Sequence, residues 1–275
     1  MRLEEIISLA LEEDIGTGDI TTDYLELSKR QTSAYLIAKE DGMLCGLDIA
    51  FQVFRHIDSS IKFITYKKDG DYLEKKDTIA RIEGYSNSIL QAERVALNFL
   101  QRLSGIATYT LLLVDTIKPY KAKLLDTRKT TPLLRNLEKY AVRVGGGYNH
   151  RFGLYDMVLL KENHIRAIGS ITKAVDQVRK NNTSYKIEVE VNSIKSFDEA
   201  AKCKVDRIML DNMKPFIMKR IVEKNAGKIE LEASGNVNID TINEVAATGV
   251  DYISCGSITH SFRSLDISLL FKEGI

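Results

Sequence analysis

The sequence lacks the features that mark membrane and secreted proteins. No apolar run approaches the ~18 residues that a membrane-spanning helix needs. The N-terminus, MRLEEIISLALEED, places acids among apolar residues at helical spacing, unlike the basic and then apolar layout of a signal peptide. We therefore expect neither secretion nor a membrane partner.

Cysteine is scarce, and Cys45, Cys203 and Cys255 are isolated in the sequence. Without a CxxC spacing, these residues predict neither a zinc site nor a disulfide framework. Isolated thiols fit a reducing compartment, so we expect a cytoplasmic protein.

An excess of charge of one sign is also lacking. In 275 residues, 39 Lys and Arg against 38 Asp and Glu give a formal net charge of +1. A nucleic-acid-binding domain shows a basic excess over the whole domain, and the chain has no tryptophan and no group of aromatic residues that would form a stacking platform. We expect no nucleic-acid partner.

The second half of the chain does have a repeated unit of roughly twenty residues. Each short aliphatic run is followed by a segment with helical periodicity. This alternation indicates βαβ units and a parallel sheet, an α/β fold in which ligands bind at the carboxyl ends of the strands. The predicted strands are 122–127, 156–160, 186–191, 206–210, 228–234 and 251–255.

Residues 1–104 lack this repeat. They show an N-terminal helix, a mixed strand region and a long helical pattern from Ile89 to Leu103, which predicts a separate α+β domain. The boundary falls near Ser104 and Gly105, so residues 105–263 form the second domain. We expect the weakly patterned tail, residues 264–275, to pack back onto the first domain.

Cations are concentrated between Asp126 and His164. Arg128 and Lys129 directly follow a predicted strand, His150 and Arg151 follow a triple glycine, and Lys161 ends the next strand. An arginine fork can grip a carboxylate, and glycines allow backbone amides to approach an anion. A single adjacent Arg-Lys pair is more often a pair of solvent-exposed loop residues than a binding site. The whole group of cations, however, predicts a site for a small, highly anionic substrate.

Glu190 and Asp211 end consecutive predicted strands. They could bind Mg²⁺, directly or through water, or accept hydrogen bonds from a sugar. Helix N-capping is the structural alternative for each acid. Glu188, on the same face of its strand as Glu190, is an alternative ligand.

Two short loops could hold a phosphate with backbone amides at helix N-termini. They are Ser234-Gly235-Asn236 and Cys255-Gly256-Ser257, with His260 just beyond the second loop. The signal of each loop is weak, because βα loops use Gly and Ser routinely, and His260 could equally be a surface residue.

A series of motifs along nearly the whole chain resembles nicotinate-nucleotide pyrophosphorylase (carboxylating), also called quinolinate phosphoribosyltransferase. The resemblance implies a type II phosphoribosyltransferase-like α/β fold: an N-terminal α/β sandwich and an incomplete, seven-stranded α/β barrel. It also implies a homodimer that joins quinolinate to phosphoribosyl pyrophosphate with Mg²⁺, giving nicotinate mononucleotide, CO₂ and pyrophosphate in NAD synthesis. The motifs are GDITT, AERVALNFLQRLSGIAT, DTRKTTP, KYAVRVGGGYNHR, LLKENH, EVEV, IMLDNM, EASGN and GVDYISCGSITHS.

Carried over by motif, the resemblance implies roles for individual residues. Lys129, Glu190 and Asp211 would be catalytic, and Glu190 and Asp211 would face the metal. Quinolinate would contact Arg94 from the neighbouring subunit together with Thr127, Arg128, Lys129, His150, Arg151 and Lys161. Phosphoribosyl pyrophosphate would contact Lys129, Lys161, Glu190, Asp211, Ser234, Gly235, Asn236, Cys255, Gly256, Ser257 and His260.

Asn236 departs from the pattern, because many family members have a second glycine there. Asn tolerates positive φ better than most residues, so we expect the loop to survive.

Three other functions fit parts of the sequence. The ModD group, associated with molybdenum transport, resembles this fold but generally has proline before its His-Arg pair, where this chain has Asn149. A barrel aldolase would use Lys161 as a Schiff base. An RNA-binding module would use the basic stretch and bind unrelated RNAs in a salt-dependent way.

Overall fold

The structure is a computed structural model that describes residues 2–25, 27, 30–181 and 184–271. The chain divides into two compact units. The first comprises residues 1–109, 132–145 and 262–275, and the second comprises residues 110–131 and 146–261.

The elements up to the end of the segment 132–145 are, in chain order, α1 (Leu3–Ile15), α2 (Ile20–Tyr24), β1 (Gln31–Ala38), β2 (Gly42–Met43), α3 (Leu47–Ile57), β3 (Lys62–Thr65), β4 (Tyr72–Leu73), β5 (Thr78–Tyr85), α4 (Ser86–Ile117), β6 (Lys123–Leu125) and α5 (Arg135–Val144). The remaining elements are β7 (Val158–Leu160), α6 (Glu162–Ile168), α7 (Ile171–Asn181), β8 (Ile187–Val191), α8 (Ile194–Lys202), β9 (Arg207–Asp211), α9 (Pro215–Asn225), β10 (Glu230–Ser234), α10 (Ile242–Ala246), β11 (Tyr252–Ser254), α11 (Ser257–His260) and β12 (Ile267–Phe271).

The first unit contains an antiparallel sheet in the order β12-β1-β5-β3 and a small β2-β4 pair. Its helix α3 buries an apolar face and stacks Phe51 on Phe63 of β3, with ring centroids 4.0 Å apart. Strand β12 pairs with β1 along Ala34–Ala38. The C-terminal segment therefore returns to the first unit as predicted; residues 272–275 lie outside the described residues.

The second unit is built on a parallel sheet in the order β6-β11-β10-β9-β8-β7, which confirms the predicted α/β architecture. Within the described residues this sheet has six strands rather than the seven expected. Tyr148 makes a one-residue parallel bridge to Leu125, beside β6. The ladder stops there because Asn149 and His150 both turn to donate hydrogen bonds to the buried Asp126.

The units differ from the predicted domains near the boundary. Helix α4 runs through Ser104 and Gly105 without a break. The Ser104 hydroxyl accepts a hydrogen bond from the Cys45 N–H at 3.0 Å, and a β-carbon on Gly105 would collide with the backbone at Arg263. The helix therefore packs within the first unit beyond residue 104, up to Tyr109.

Helix α5 belongs to the first unit, although its position in the sequence predicts the second domain. Two contacts hold it there. The Tyr140 hydroxyl donates to Asp69 at 2.8 Å, and the Arg102 guanidinium forms an ion pair with the fully buried Glu138. The strand-helix pattern around α5 does not reveal Asp69 and Arg102, because these partners are far away in the sequence.

Strands β8 and β10 determine much of the functional site. Apolar and acidic residues alternate in IEVEV and ELEAS, so the acids share one face of the sheet. The next strand, β9, adds Arg207, which pairs in register with Glu188 on one side and Glu230 on the other. One face of this parallel sheet is therefore lined with charged residues.

None of the helices in the described ranges is both long enough and apolar enough to cross a bilayer.

Candidate active site

A cavity of about 840 Å³ opens at the carboxyl ends of the strands of the second unit. It brings together the predicted site residues of this unit, with one exception, although they are scattered over more than a hundred positions in sequence. The predicted residues on its wall are Thr127, Arg128, Lys129, His150, Arg151, Lys161, Glu190, Asp211, Ser234, Gly235, Asn236, Gly256, Ser257 and His260.

Lys129 is held by its backbone at the end of β6. Its N–H donates to the Thr127 hydroxyl at 3.0 Å, and its carbonyl accepts from the Thr259 hydroxyl at 2.9 Å. A β-carbon on Gly256 would lie 3.0 Å from the Lys129 side chain and 3.1 Å from His260. The absence of a side chain at Gly256 therefore leaves room for these two groups to meet.

Arg151 and Arg128 form a cationic side of the cavity. Both line the cavity, and burial together with repulsion from Arg128 lowers the pKa of the Arg151 guanidinium. The Arg151 side chain is anchored by donating to the Met157 carbonyl at 3.0 Å. Guanidinium groups that line one cavity can bind a carboxylate through paired hydrogen bonds.

Glu190 and Asp211 form an anionic side. Both are partly exposed on the cavity wall. Burial and repulsion from Asp211 raise the pKa of the Glu190 carboxyl, while Lys161 partly opposes this shift. Neither acid is the N-cap of the following helix, since Ser193 caps α8 and Lys214 precedes α9. Glu190 instead accepts a long hydrogen bond, 3.5 Å, from the N–H of Glu162 at the start of α6.

Glu188, the alternative to Glu190, lies elsewhere. It is fully buried, and one of its oxygens lies 3.2 Å from His150 Nε2. The same nitrogen lies 3.4 Å from an oxygen of Glu232, and Glu232 pairs with Arg207 at 3.0 Å. We call these four residues, His150, Glu188, Glu232 and Arg207, the buried cluster.

The protonation of the buried cluster follows from its contacts. Burial lowers the pKa of His150, but the two carboxylates outweigh it and raise the pKa to about 9. Burial and the charge of Glu232 raise the pKa of Glu188 to about 7. The backbone N–H of Arg151 donates to His150 Nδ1 at 2.7 Å, and this hydrogen bond keeps a second proton off the ring despite the attraction of the carboxylates. The ring is therefore neutral, with its one proton on Nε2, and the additional proton of the cluster lies on Glu188, whose pKa is raised.

His150, Glu188 and Glu232 could also hold a metal ion by residue type, because one ligand atom from each lies within 4.8 Å of the others. Arg207 already supplies a positive charge to Glu232, so we interpret the cluster as an ion-pair network.

The loop after β10 is fitted tightly to the loop after β9. Gly235 has φ +96°, and the side chain of Asn212 occupies the space that a β-carbon would need. Asn212 donates to Asp211 at 2.8 Å and accepts from Asn236 at 3.2 Å. Asn236 has φ +53°, so it adopts the left-handed conformation that asparagine is expected to tolerate.

Two sequence-based expectations differ from the structure. The Cys255 side chain is buried, contacts the Val237 carbonyl at 3.1 Å and is not on the cavity wall. The triple glycine 145–147 does not line the cavity either; Gly146, with φ +88°, turns the chain after α5. Arg94 is exposed on α4 in the first unit, and its expected role in the neighbouring subunit stays a prediction.

Sequence reasoning missed several residues of the site. Asn212 and Asn238 follow strand ends and could have been found by their position. Glu232 could have been found from the same alternation that singled out Glu188 and Glu190. Met209 lies inside β9 and Ser254 is the last residue of β11; the structure places both on the wall.

Both parts of the chain match known protein families. Residues 19–104 match the description "Quinolinate phosphoribosyl transferase, N-terminal domain", and residues 106–270 match "Quinolinate phosphoribosyl transferase, C-terminal domain". These matches cover most of the chain.

Individual relatives agree with the family matches. A probable nicotinate-nucleotide pyrophosphorylase [carboxylating] of Bacillus subtilis is 43% identical over 270 residues, which cover 98% of this chain and 93% of the relative. The chloroplastic nicotinate-nucleotide pyrophosphorylase [carboxylating] of Arabidopsis thaliana is 42% identical, covering 97% of this chain and 82% of the relative. A solved nicotinate-nucleotide pyrophosphorylase from Francisella tularensis superimposes with a TM-score of 0.95 at 42% identity, covering 98% of this chain and 96% of that one. With both domains matched and the cavity at its expected strand ends, the chain belongs to the quinolinate phosphoribosyltransferase family.

Proposed function

We propose that the chain transfers the phosphoribosyl group of phosphoribosyl pyrophosphate to quinolinate and releases CO₂ and pyrophosphate, giving nicotinate mononucleotide for NAD synthesis. One observation carries this proposal. A single cavity combines a pair of crowded guanidiniums with a pair of carboxylates at neighbouring strand ends. Such a cavity can bind a dianionic ring beside a metal-bound sugar phosphate.

The cationic side suits quinolinate. Arg128 and Arg151 repel each other, and the two carboxylates of quinolinate would remove that repulsion. Arginine forks bind carboxylates in a defined orientation, so they can direct the ring nitrogen toward the sugar. Lys129 and Lys161 add positive charge between the two substrates.

The anionic side suits a sugar and Mg²⁺. Carboxylate oxygens are the ligands that this hard cation prefers, and the raised pKa of Glu190 beside Asp211 is the electrostatic strain that a cation relieves. Glu190 and Asp211 would hold the metal, directly or through water. When bound, Mg²⁺ would neutralise charge on the leaving pyrophosphate.

The loops at Gly235 and Gly256 suit the sugar phosphate. Ser234, Asn236, Ser257 and His260 provide donors around two glycines. A β-carbon would collide with Asn212 at Gly235 and would lie in tight contact with Lys129 and His260 at Gly256. Cys255 supports the second loop from inside rather than by direct contact.

These groups account for the chemistry. The bond from the anomeric carbon to pyrophosphate breaks with cation-like character on the sugar, and the quinolinate nitrogen forms the new bond. The protein contributes positioning of the two reactants, which is a large part of such catalysis. The resulting pyridinium nitrogen then accepts electron density as the adjacent carboxylate leaves as CO₂, and a proton takes its place on the ring carbon.

Arg94 is proposed to act in the neighbouring subunit of a homodimer. Its exposure on α4 and its absence from the cavity wall of the second unit support a role outside its own cavity. The three cysteines are free thiols, which supports a reducing, cytoplasmic location.

The surroundings of Lys161 argue against the aldolase alternative. A Schiff-base lysine is activated by desolvation or by a second cation, whereas Lys161 is exposed and close to Glu190. Sodium borohydride with a carbonyl substrate would trap Lys161 if that alternative were right.

Incubation of the purified protein with quinolinate, phosphoribosyl pyrophosphate and Mg²⁺ tests the proposed function. We expect nicotinate mononucleotide, CO₂ and pyrophosphate in equal amounts, identified by mass spectrometry and by release of labelled CO₂. Absence of the nucleotide product would reject the proposal. A different product would favour a ModD-like acceptor.

A further inference from the structure

The buried cluster lies directly behind the cationic side of the cavity. His150 lines the cavity and also contacts the cluster, whereas Glu188, Glu232 and Arg207 do not reach the cavity wall. Both ring nitrogens of His150 face protein groups: Nδ1 accepts from the Arg151 N–H, and Nε2 faces the two carboxylates. Nδ1 is therefore used within the protein, and the surroundings of Nε2 are the two buried carboxylates.

The contacts form a continuous chain from β9 to the cavity. Arg207 pairs with Glu232 at 3.0 Å, Glu232 faces His150 at 3.4 Å, and His150 accepts the Arg151 N–H at 2.7 Å. The His150 backbone is held separately, since its N–H donates to Asp126 at 2.9 Å. With the backbone fixed, the carboxylates determine which way the ring turns.

We propose that Glu232 and Arg207 are positioning residues for substrate binding. They hold the His150 ring so that it fixes the backbone of Arg151, and thereby place the Arg151 guanidinium. This inference rests on the proposed function, because it assigns Arg151 to the dicarboxylate. Arg207 is supported in turn by Glu230 and by the Tyr252 ring, whose centroid lies 3.9 Å from the guanidinium carbon.

The network offers a matched pair of variants. Glu232→Gln removes a charge from Arg207 and weakens the hold on His150 Nε2. Glu230→Gln also removes a charge from Arg207, through a contact of 3.2 Å, but the carboxylates that face His150 Nε2 are those of Glu188 and Glu232. Arg207→Lys is a second test variant, because it keeps the charge and loses the planar fork.

Steady-state kinetics separate positioning from folding. In Glu232→Gln we expect the KM for quinolinate to rise about tenfold, because displacement of a binding group can lower the rate of catalysis by up to roughly 100-fold. The KM for phosphoribosyl pyrophosphate should change less than about twofold. Arg207→Lys should change in the same direction, and Glu230→Gln should resemble the unaltered protein. An equal rise in both KM values, or the same effect in Glu230→Gln, would overturn the proposal.

Nitrogen-15 NMR of the imidazole groups provides a readout that needs no substrate. We expect His150, assigned by its loss in His150→Gln, to show an unprotonated Nδ1 in the unaltered protein and in Glu230→Gln, and an altered ring signal in Glu232→Gln. An unchanged signal in Glu232→Gln would overturn the proposal. If the unaltered protein makes no nicotinate mononucleotide but the NMR result holds, the proposed function fails while the ring-holding role stands.

Discussion

The side chain of Asn212 lies where a β-carbon on Gly235 would have to be. The two loops are also joined through their backbones, because the Asn212 N–H donates to the Ser234 carbonyl at 2.9 Å. Asn212 in turn contacts Asp211. The loop proposed for the phosphate and the acid proposed for the metal are therefore mechanically linked.

Gly235→Ala should weaken phosphoribosyl pyrophosphate binding. A β-carbon would push Asn212 away from Asp211, in addition to the cost of about 1–2 kcal/mol for an alanine in a left-handed conformation. Gly169→Ala is the control, because Gly169 has φ +104° but no atom lies within 4 Å of the position that its β-carbon would take. Calorimetric titration with the substrate should show weaker binding for Gly235→Ala only; equal effects of both variants would contradict the linkage.

The enzyme should strongly prefer quinolinate to nicotinate. Removal of one carboxylate leaves positive charge at Arg128 and Arg151 uncompensated, which typically costs about 2–5 kcal/mol. Measured as kcat/KM with each acid under identical conditions, the preference should therefore exceed about 30-fold. Equal efficiency would mean that these arginines do not bind the second carboxylate.

Glu190→Gln and Asp211→Asn should nearly abolish turnover while leaving the binding of quinolinate alone almost intact. The substitutions keep the shape of each side chain but remove the charge that faces sugar and metal. Asp198→Asn is a suitable control, since Asp198 pairs with Lys224 and does not line the cavity. Calorimetry measures the binding of quinolinate to each variant, and an assay with both substrates measures turnover. If quinolinate binding disappeared while turnover survived, the roles of Glu190 and Asp211 would be misassigned.

The buried cluster should make stability depend on pH. Its additional proton lies on Glu188, whose folded pKa of about 7 is above its ordinary value of 4.5, so the stabilisation from this proton is fully present below about pH 4.5 and is lost as the pH rises through 7. Between about pH 4.5 and about pH 8, the free energy of unfolding measured with denaturant should fall more in the unaltered protein than in Glu188→Gln, by on the order of 1–3 kcal/mol. Identical losses would show that the cluster does not hold the additional proton.

Arg94→Ala and Lys129→Ala should complement each other. Each variant dimer should be nearly inactive alone, but half of the dimers in a random mixture are mixed, and each mixed dimer has one complete site. Coexpression should restore roughly a quarter of the sites in a symmetric two-fold dimer. If mass spectrometry confirms mixed dimers without activity, Arg94 acts within its own chain or only structurally.

Much of the architecture could be predicted from local patterns. Period-two strands and period-3.6 helices indicated the order of elements in the second unit, because each pattern reflects which side of a local element is buried. The polar residues at strand ends were predictable for the same reason, since parallel strands bring their carboxyl ends to one edge. Glu190, Asp211 and Ser234 were found in this way.

The tertiary structure decided what depends on distant contacts. Helix α5 lies in the first unit because Glu138 pairs with Arg102 and Tyr140 donates a hydrogen bond to Asp69. In place of a seventh strand there is only the bridge between Tyr148 and Leu125, because the next two residues, Asn149 and His150, donate hydrogen bonds to Asp126. The sequence by itself determined the family, the order of elements and the chemical types at the site. Only the fold decided that Glu188 is buried behind His150 while Glu190, two residues away, faces the cavity, because burial depends on what packs above each position of the sheet.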